Sequence, residues 1–225
     1  MNRTVHEVRR YEDVRAALAD PILVPELPAA AEGPVGASMA WLRASVPRFS
    51  SGGTHAARRA LVETELARLD VARLEKAAAH WPDAAAKDAA PHVVRTLAQA
   101  LGYPEPEMVA EAVAAVAGAY FGGEGPEADA AVARLVDLLS PAGQPHGSHE
   151  VAARICLLEQ ARDATAALIR QADGALAGAR PTDARPTGAR PTGARPVERL
   201  LHETLRDDPP VRALRRVAAR DTRVA

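Results

Sequence analysis

The sequence predicts a mainly α-helical protein with few short strands, and three observations lead to that fold class. Alanine occurs 52 times in 225 residues, and it has the highest helix propensity of the amino acids. Phe, Trp and Tyr together make up only 3% of the chain, whereas strands favour aromatic and β-branched side chains. Apolar residues also recur at helical spacing through most of the sequence. One domain is the default at this length, and two small ones are possible.

The elements follow in order from this spacing and from the residues that interrupt it. Thr4–Arg10 is predicted to be a short strand or an extended segment. Residues 21–37 contain four prolines and are predicted to form a long loop. The most apolar helix starts at Ser148 and is expected at the centre of the fold. Helices are predicted over Tyr11–Ala19, Met39–Val46, His55–Ala79, Val93–Leu101, Glu107–Tyr120, Glu127–Leu139, Ser148–Gln171 and Val197–Leu205.

A repeat interrupts the helical pattern at residues 178–197. It consists of four five-residue units, GARPT, DARPT, GARPT and GARPV. Alternating Arg-Pro and Gly cannot sustain an α-helical hydrogen-bond ladder, and the repeat offers almost nothing apolar for a core. The predicted organisation is therefore a helical domain over 1–177, a disordered or polyproline-like linker over 178–197, and a final helix with a basic tail over 198–225.

Composition also limits the function classes. The net charge of −1 hides an asymmetry, because residues 178–225 carry 11 Arg against 6 Asp and Glu. An arginine-rich tail can contact phosphate, but arginines on solvated helix faces are the simpler interpretation, so nucleic-acid binding is not expected.

The single cysteine, Cys156, excludes a disulfide scaffold and a four-cysteine zinc site. His146 and His149 lack further ligands, so no metal site is expected.

No apolar run in the sequence reaches the length needed to cross a bilayer. The first residues, MNRTVHEVRRYEDV, lack the apolar stretch of a signal peptide. The expectation from these two features is a cytoplasmic protein without membrane contact.

Four segments, in order, resemble the bacterial cytochrome P450 family of haem-thiolate monooxygenases. YEDVRAALADP is similar to the family's B helix, and RFSSGGTHAARRALV is similar to the start of its C helix. ICLLEQARDATAALI is similar to the long central I helix. ERLLHETLRDDPPVRALRRVA is similar to the K helix and the strand after it. The combination ETLR-x-DPPV followed five residues later by arginine is the most specific part, and the resemblance covers much of residues 4–220.

The resemblance implies a haem b cofactor and residues that hold its propionates. His55 and Arg59 match the family's His-x-x-x-Arg pair, and their spacing puts both on one helix face. Arg216 matches a further propionate arginine, and an arginine can bind a carboxylate through two parallel hydrogen bonds. Glu203 and Arg206 match the structural Glu-x-x-Arg pair of the K helix.

The I-helix-like segment supplies the implied catalytic residues, Asp163 and Thr165. Asp163 matches the family's acid and is a candidate for proton relay. Ala164, however, stands where the family has an alcohol, and Thr165 follows one residue later. One residue is about 100° around a helix, so Thr165 departs from the family's geometry.

A larger departure concerns the iron ligand. The family ligates haem iron with a cysteine on a glycine-rich loop after the K helix, and no such loop follows Arg206 in this sequence. The expectation is a truncated or degenerate member that is inactive as this chain alone, with a small organic substrate and a ferredoxin-type redox partner implied by the family. Two alternatives remain open: a non-catalytic helical binding module, and an arginine-rich interaction protein.

Overall fold

A computed structural model of the chain describes residues 5–25, 33–82, 85–122, 125–141, 145, 147–178, 194–211 and 213–218. Within these ranges the protein is mainly α-helical, which confirms the predicted fold class. Two short 3₁₀ helices lie at Pro47–Phe49 and Ala85–Asp88. The α-helices are α1 (Tyr11–Ala19), α2 (Met39–Ser45), α3 (Gly52–Leu66), α4 (Val71–Ala78), α5 (Ala89–Ala100), α6 (Pro106–Ala119), α7 (Pro126–Leu139), α8 (His149–Gly178) and α9 (Ala194–Asp207), and the strands are β1 (Leu23–Val24) and β2 (Val217–Ala218).

Helix α8 is the centre of the fold, as its apolar sequence predicts. Every residue from 151 to 159 is buried, because α3, α5, α6, α7 and α9 all pack against this helix. Ile155 and Leu158 are fully buried within it. The Ser148 hydroxyl caps the start by accepting a hydrogen bond from the Val151 amide at 3.4 Å. The helix continues to Gly178, seven residues beyond the predicted end.

The amphipathic stretch predicted at 55–79 is two helices rather than one. Helix α3 ends at Leu66, and Asp70 begins α4 by accepting hydrogen bonds from the Ala72 and Arg73 amides at 2.9 and 3.2 Å. Aspartate is a strong N-cap because its side chain satisfies amides that have no partner within the helix. The apolar spacing that suggested one helix is therefore shared by two helices.

The ends of the chain differ from the sequence prediction in two respects. Residues 5–9 belong to no helix or strand, which the extended alternative predicted for Thr4–Arg10 allows, but the strand β1 lies within the predicted loop, where it pairs antiparallel with β2. Helix α9 begins at Ala194, so the last four residues of the predicted linker are helical. Pro196 is compatible with this start because the first turn of a helix needs no amide donor there. The repeat residues 179–193 lie outside the described part.

The start of α2 is joined to α7 by one hydrogen bond, from the Met39 amide to the Asp129 carboxylate at 2.7 Å. Asp129→Ala is expected to lower the free energy of unfolding by about 1 kcal/mol, since the amide at the start of α2 loses its acceptor. Urea denaturation measures this loss. The control is Glu111→Ala on the exposed side of α6, expected within about 0.5 kcal/mol of the parent; equal losses in both variants contradict the assignment.

Candidate functional site

The predicted propionate residues of α3 lie on its solvent side. Arg59 is exposed and donates from Nε to the Glu63 carboxylate at 2.8 Å. His55 is half-buried. The neighbouring Arg58, rather than Arg59, turns inward and donates to the Val46 carbonyl at 3.5 Å. Burial lowers the pKa of Arg58, which agrees with its inward position.

Arg216 lies just before β2 and is half-buried. Its guanidinium is 3.5 Å from the carbonyl of Arg215. Among the described residues, no hydrogen bond or ion pair joins Arg216 to His55 or Arg59. The structure therefore does not connect the three predicted propionate residues directly.

Glu203 and Arg206 take different partners on α9. Glu203 accepts from Arg199 Nε at 2.8 Å, and Arg206 donates to Asp207 at 2.8 Å. The side chain of Arg206 is 70% exposed. The two residues thus do not form the buried ion pair that the resemblance implies, because Glu203 pairs with Arg199 one turn earlier and Arg206 pairs with the adjacent Asp207.

Asp163 and Thr165 are both exposed on α8. Asp163 pairs with Arg162, its neighbour along the chain. The continuous run of buried residues on α8 ends at Glu159, and the predicted catalytic residues lie in the following part of the helix, where only single residues such as Ala166 are buried. They are accessible to a ligand from solvent but not enclosed.

Cys156 does not fit the role of a haem ligand. It is the single cysteine of the sequence, it is 2% exposed, and it belongs to the main hydrophobic core. Burial raises the pKa of its thiol to about 12, so the thiol stays protonated near neutral pH, whereas iron ligation requires the thiolate. The described residues therefore do not fit a haem-thiolate site.

A buried polar cluster surrounds Cys156 and was not predicted from the sequence. We call it the Glu159 cluster, and it consists of Tyr120, Cys156 and Glu159, which are 0%, 2% and 6% exposed. The Tyr120 hydroxyl donates to the Cys156 sulfur at 4.0 Å. Burial raises the pKa of Glu159 to about 7 against an ordinary 4.5, and this dominates the lowering effect of a hydrogen bond from Gln160. Burial also raises the pKa of Tyr120.

Two arginines act electrostatically on the Glu159 cluster. Arg48, in the first 3₁₀ helix, lies 5.9 Å from the centre of the Phe49 ring and 5.4 Å from that of Phe121. Arg162 lies one helical turn after Glu159. Both arginines lower the pKa of Glu159, and Asp163 raises it, so all three are electrostatically close to that carboxyl. Within the described part of the chain, neither arginine forms a salt bridge with Glu159.

A second buried charge network joins α3 to α8. Arg154 donates from Nε to the Glu65 carboxylate at 3.0 Å, and both side chains are less than 10% exposed. Arg154 also donates to the Leu139 carbonyl at the end of α7, at 2.7 Å. Arg68 and the Tyr103 hydroxyl contact the second oxygen of Glu65 at 2.5 and 3.3 Å. We call this network a structural tie: all of its contacts join side chains or backbone groups of the protein, and it holds α8 against α3 and the end of α7.

The sequence contains a weak signal for both buried groups. Arg154 and Glu159 are the two charged residues in the apolar segment VAARICLLE. A charged residue surrounded by apolar ones on a helix is rarely buried without a partner. The partners, however, come from distant segments, so sequence spacing could not have identified them.

An apolar groove of about 530 Å³ lies between α8 and α9. It is open to solvent, and the Val197 and Leu205 side chains in it are 42% and 46% exposed. Its lining consists of Leu168, Val197, Glu198, Leu201, His202 and Leu205.

The described ranges contain neither a candidate metal site nor a candidate membrane span. No group of three or more His, Cys, Asp or Glu side chains could hold a metal ion there. None of the described helices has both the length and the apolar character needed to span a bilayer. Comparison with protein-family models, with curated proteins and with solved structures found no match to this chain.

Proposed function

We propose that the chain is a relative of the bacterial cytochrome P450 family that acts as a helical binding domain rather than as a haem-thiolate oxygenase. The relationship rests on the four similar segments. The function rests on the position of Cys156, whose protonated thiol is enclosed in the hydrophobic core. The ligand class implied by the family is a small organic molecule.

The packing of the interior supports the proposal that the domain folds without a cofactor. One continuous hydrophobic core includes residues from α2, α5, α6, α7 and α8, and the helix at its centre is enclosed by protein side chains over residues 151–159. A haem inserted beside Cys156 would have to displace these packed side chains.

The proposal predicts that the purified chain melts cooperatively without haem, because its core is already packed. Circular dichroism at a helix-sensitive wavelength measures the transition. A gradual loss of helix on heating would contradict a folded binding domain.

A haem titration tests the assignment of Cys156. After addition of haem, reduction and exposure to carbon monoxide, we expect no thiolate-type Soret band. Cys156→Ala is the matched variant, and its spectrum should equal that of the parent. A thiolate-type band in the parent that is lost in Cys156→Ala would refute the proposed function.

The exposure of Asp163 and Thr165 favours a second candidate function, haem-dependent oxygen insertion with an iron-ligating cysteine from outside this sequence. In that case the exposed side of α8 would face the cofactor, and electrons would come from a ferredoxin-type partner. A segment or partner that restores a thiolate-type spectrum to the mixture, including with Cys156→Ala, would support this candidate.

A further inference from the structure

We propose that the exposed side of α9 binds a second copy of this chain, with the two α9 helices antiparallel across a twofold axis. The inference goes beyond the proposed function, because it concerns self-association rather than a small ligand. We call this surface the α9 face, and it consists of Val197, Glu198, Leu201, His202, Leu205 and Arg206.

The α9 face includes one wall of the apolar groove of about 530 Å³ between α8 and α9. The fold covers another side of α9, where Thr204 is buried and the helix packs against α8. Val197 and Leu205 are exposed. Because a helix rises 1.5 Å per residue, the row from Val197 to Leu205 is roughly 12 Å long. The described part of the chain therefore leaves about two turns of apolar helix surface uncovered.

Exposed large apolar side chains are concentrated at this end of the described chain. Residues 39–178 are a much longer span, and their described part contains three such side chains, Leu66, Val71 and Phe121. The described residues from 197 to 218 contain four, namely Val197, Leu205, Val211 and Leu214. Concentrated exposed apolar surface marks interaction sites in folded proteins. A protein partner is therefore the expected occupant of the α9 face.

The order of side chains along the α9 face favours a second copy as that partner. Residues four apart on a helix form rows, and the face has two adjacent rows. The apolar row consists of Val197, Leu201 and Leu205. The charged row consists of Glu198, His202 and Arg206. In an antiparallel twofold pair the start of each row lies beside the end of the same row in the second copy. Apolar side chains then meet apolar ones, and Glu198 meets the Arg206 of the second copy.

Both members of this ion pair have the capacity to form it. Within the described part of the chain, the Glu198 side chain has no hydrogen-bond or ion-pair partner. Arg206 contacts Asp207 through Nε and one terminal nitrogen, at 2.8 and 3.2 Å, which leaves its other terminal nitrogen for an acceptor. A parallel arrangement would place Glu198 beside the Glu198 of the second copy, so like-charge repulsion disfavours it.

Sedimentation equilibrium of the full chain tests the proposal. A standard interface buries about 800 Å² on each partner, and two helical turns offer less, so the dimer should be weak and should form over roughly 10–200 µM. A twofold contact closes on itself, so no species larger than the dimer is expected. A chain that stays monomeric at about 200 µM, or one that grows into open-ended oligomers, would overturn the proposal.

Leu205→Glu should weaken dimer formation by roughly tenfold or more, because it places a charge in the apolar row. Leu66→Glu on α3 is the matched control, since Leu66 is 48% exposed and Leu205 is 46% exposed. The control should leave the dimerisation constant unchanged. Equal weakening in the two variants would show that the α9 face is not the interface.

Charge reversal tests the antiparallel arrangement separately. Glu198→Arg and Arg206→Glu should each weaken the dimer by roughly tenfold, because the twofold axis repeats the unfavourable pair. The double variant Glu198→Arg with Arg206→Glu restores opposite charges and should dimerise nearly as well as the parent. A double variant no better than either single one would contradict this arrangement. The haem titration measures a different property, so a thiolate-type spectrum would refute the proposed function without changing these results.

Discussion

Replacing Arg154 with methionine is expected to lower the free energy of unfolding by about 3 kcal/mol, the lower end of the cost of breaking a buried ion pair, because the Glu65 carboxylate keeps its contacts with Arg68 and the Tyr103 hydroxyl. The reason is geometric. Glu65 is 6% exposed, and Arg154 is the arginine that contacts it from within the core. The substitution also removes the donor that satisfies the Leu139 carbonyl at the end of α7. Urea denaturation of the parent and the variant measures the loss.

Arg68→Met is the matched control for this prediction, because Arg68 contacts the same carboxylate from the surface. Its side chain is 49% exposed, and an exposed ion pair contributes about 1 kcal/mol or less. The double variant Glu65→Leu with Arg154→Met should recover much of the loss, since it also removes the buried carboxylate that has lost its buried partner. If Arg154→Met and Arg68→Met lower the free energy of unfolding by similar amounts, Arg154 is not the structural tie that we describe.

Two buried arginines each donate hydrogen bonds to backbone carbonyls at the end of a helix. Arg154 donates to the last carbonyl of α7, and Arg43 donates to the Ala119 and Tyr120 carbonyls at the end of α6. The last carbonyls of a helix have no partner within it and carry partial negative charge. A buried guanidinium satisfies them where solvent cannot, which explains why a helical core tolerates these two charged side chains.

The fold class and most helices could be predicted from the sequence because they depend on local properties. The end of α1 follows from Asp20-Pro21, and the central position of α8 follows from its apolar run. The division between α3 and α4 was missed because it depends on the capping role of Asp70, which apolar spacing does not reveal. The β1–β2 pair was missed because two-residue strands have almost no sequence signal, and their pairing joins segments far apart in the chain.

The candidate site was harder to predict for the same reason. Several of the residues that the family resemblance predicts for the site, such as Arg59 and Asp163, lie on exposed helix faces. The Glu159 cluster combines residues from the end of α6 and the middle of α8, with Arg48 from a 3₁₀ helix beside it. Only the tertiary packing brings these three segments together, and so only the structure identifies them.

Glu159 should make the stability of the protein fall as the pH rises. Its pKa is about 7 in the folded protein, with burial as the main cause, against 4.5 ordinarily. Below about pH 4.5 the carboxyl is protonated in both states, and its contribution to stability is fully present. As the pH rises through about 7, the folded state must bury a charge that the unfolded state exposes to water, and the contribution is lost. A difference of this size in pKa corresponds to roughly 3 kcal/mol.

Glu159→Gln isolates this effect, because glutamine keeps the shape of the side chain and cannot ionise. The variant and the parent should have similar free energies of unfolding at about pH 4.5, and the variant should be the more stable by roughly 3 kcal/mol at about pH 8. Urea denaturation across this range measures the difference, with the exposed Glu111→Gln as the control that should show no such trend. A difference between Glu159→Gln and the parent that stays constant with pH would mean that Glu159 has the same pKa in the folded and unfolded states, and that burial does not raise it. The lowering effect of Arg162 and Arg48 on the pKa of Glu159 would then offset the effect of burial.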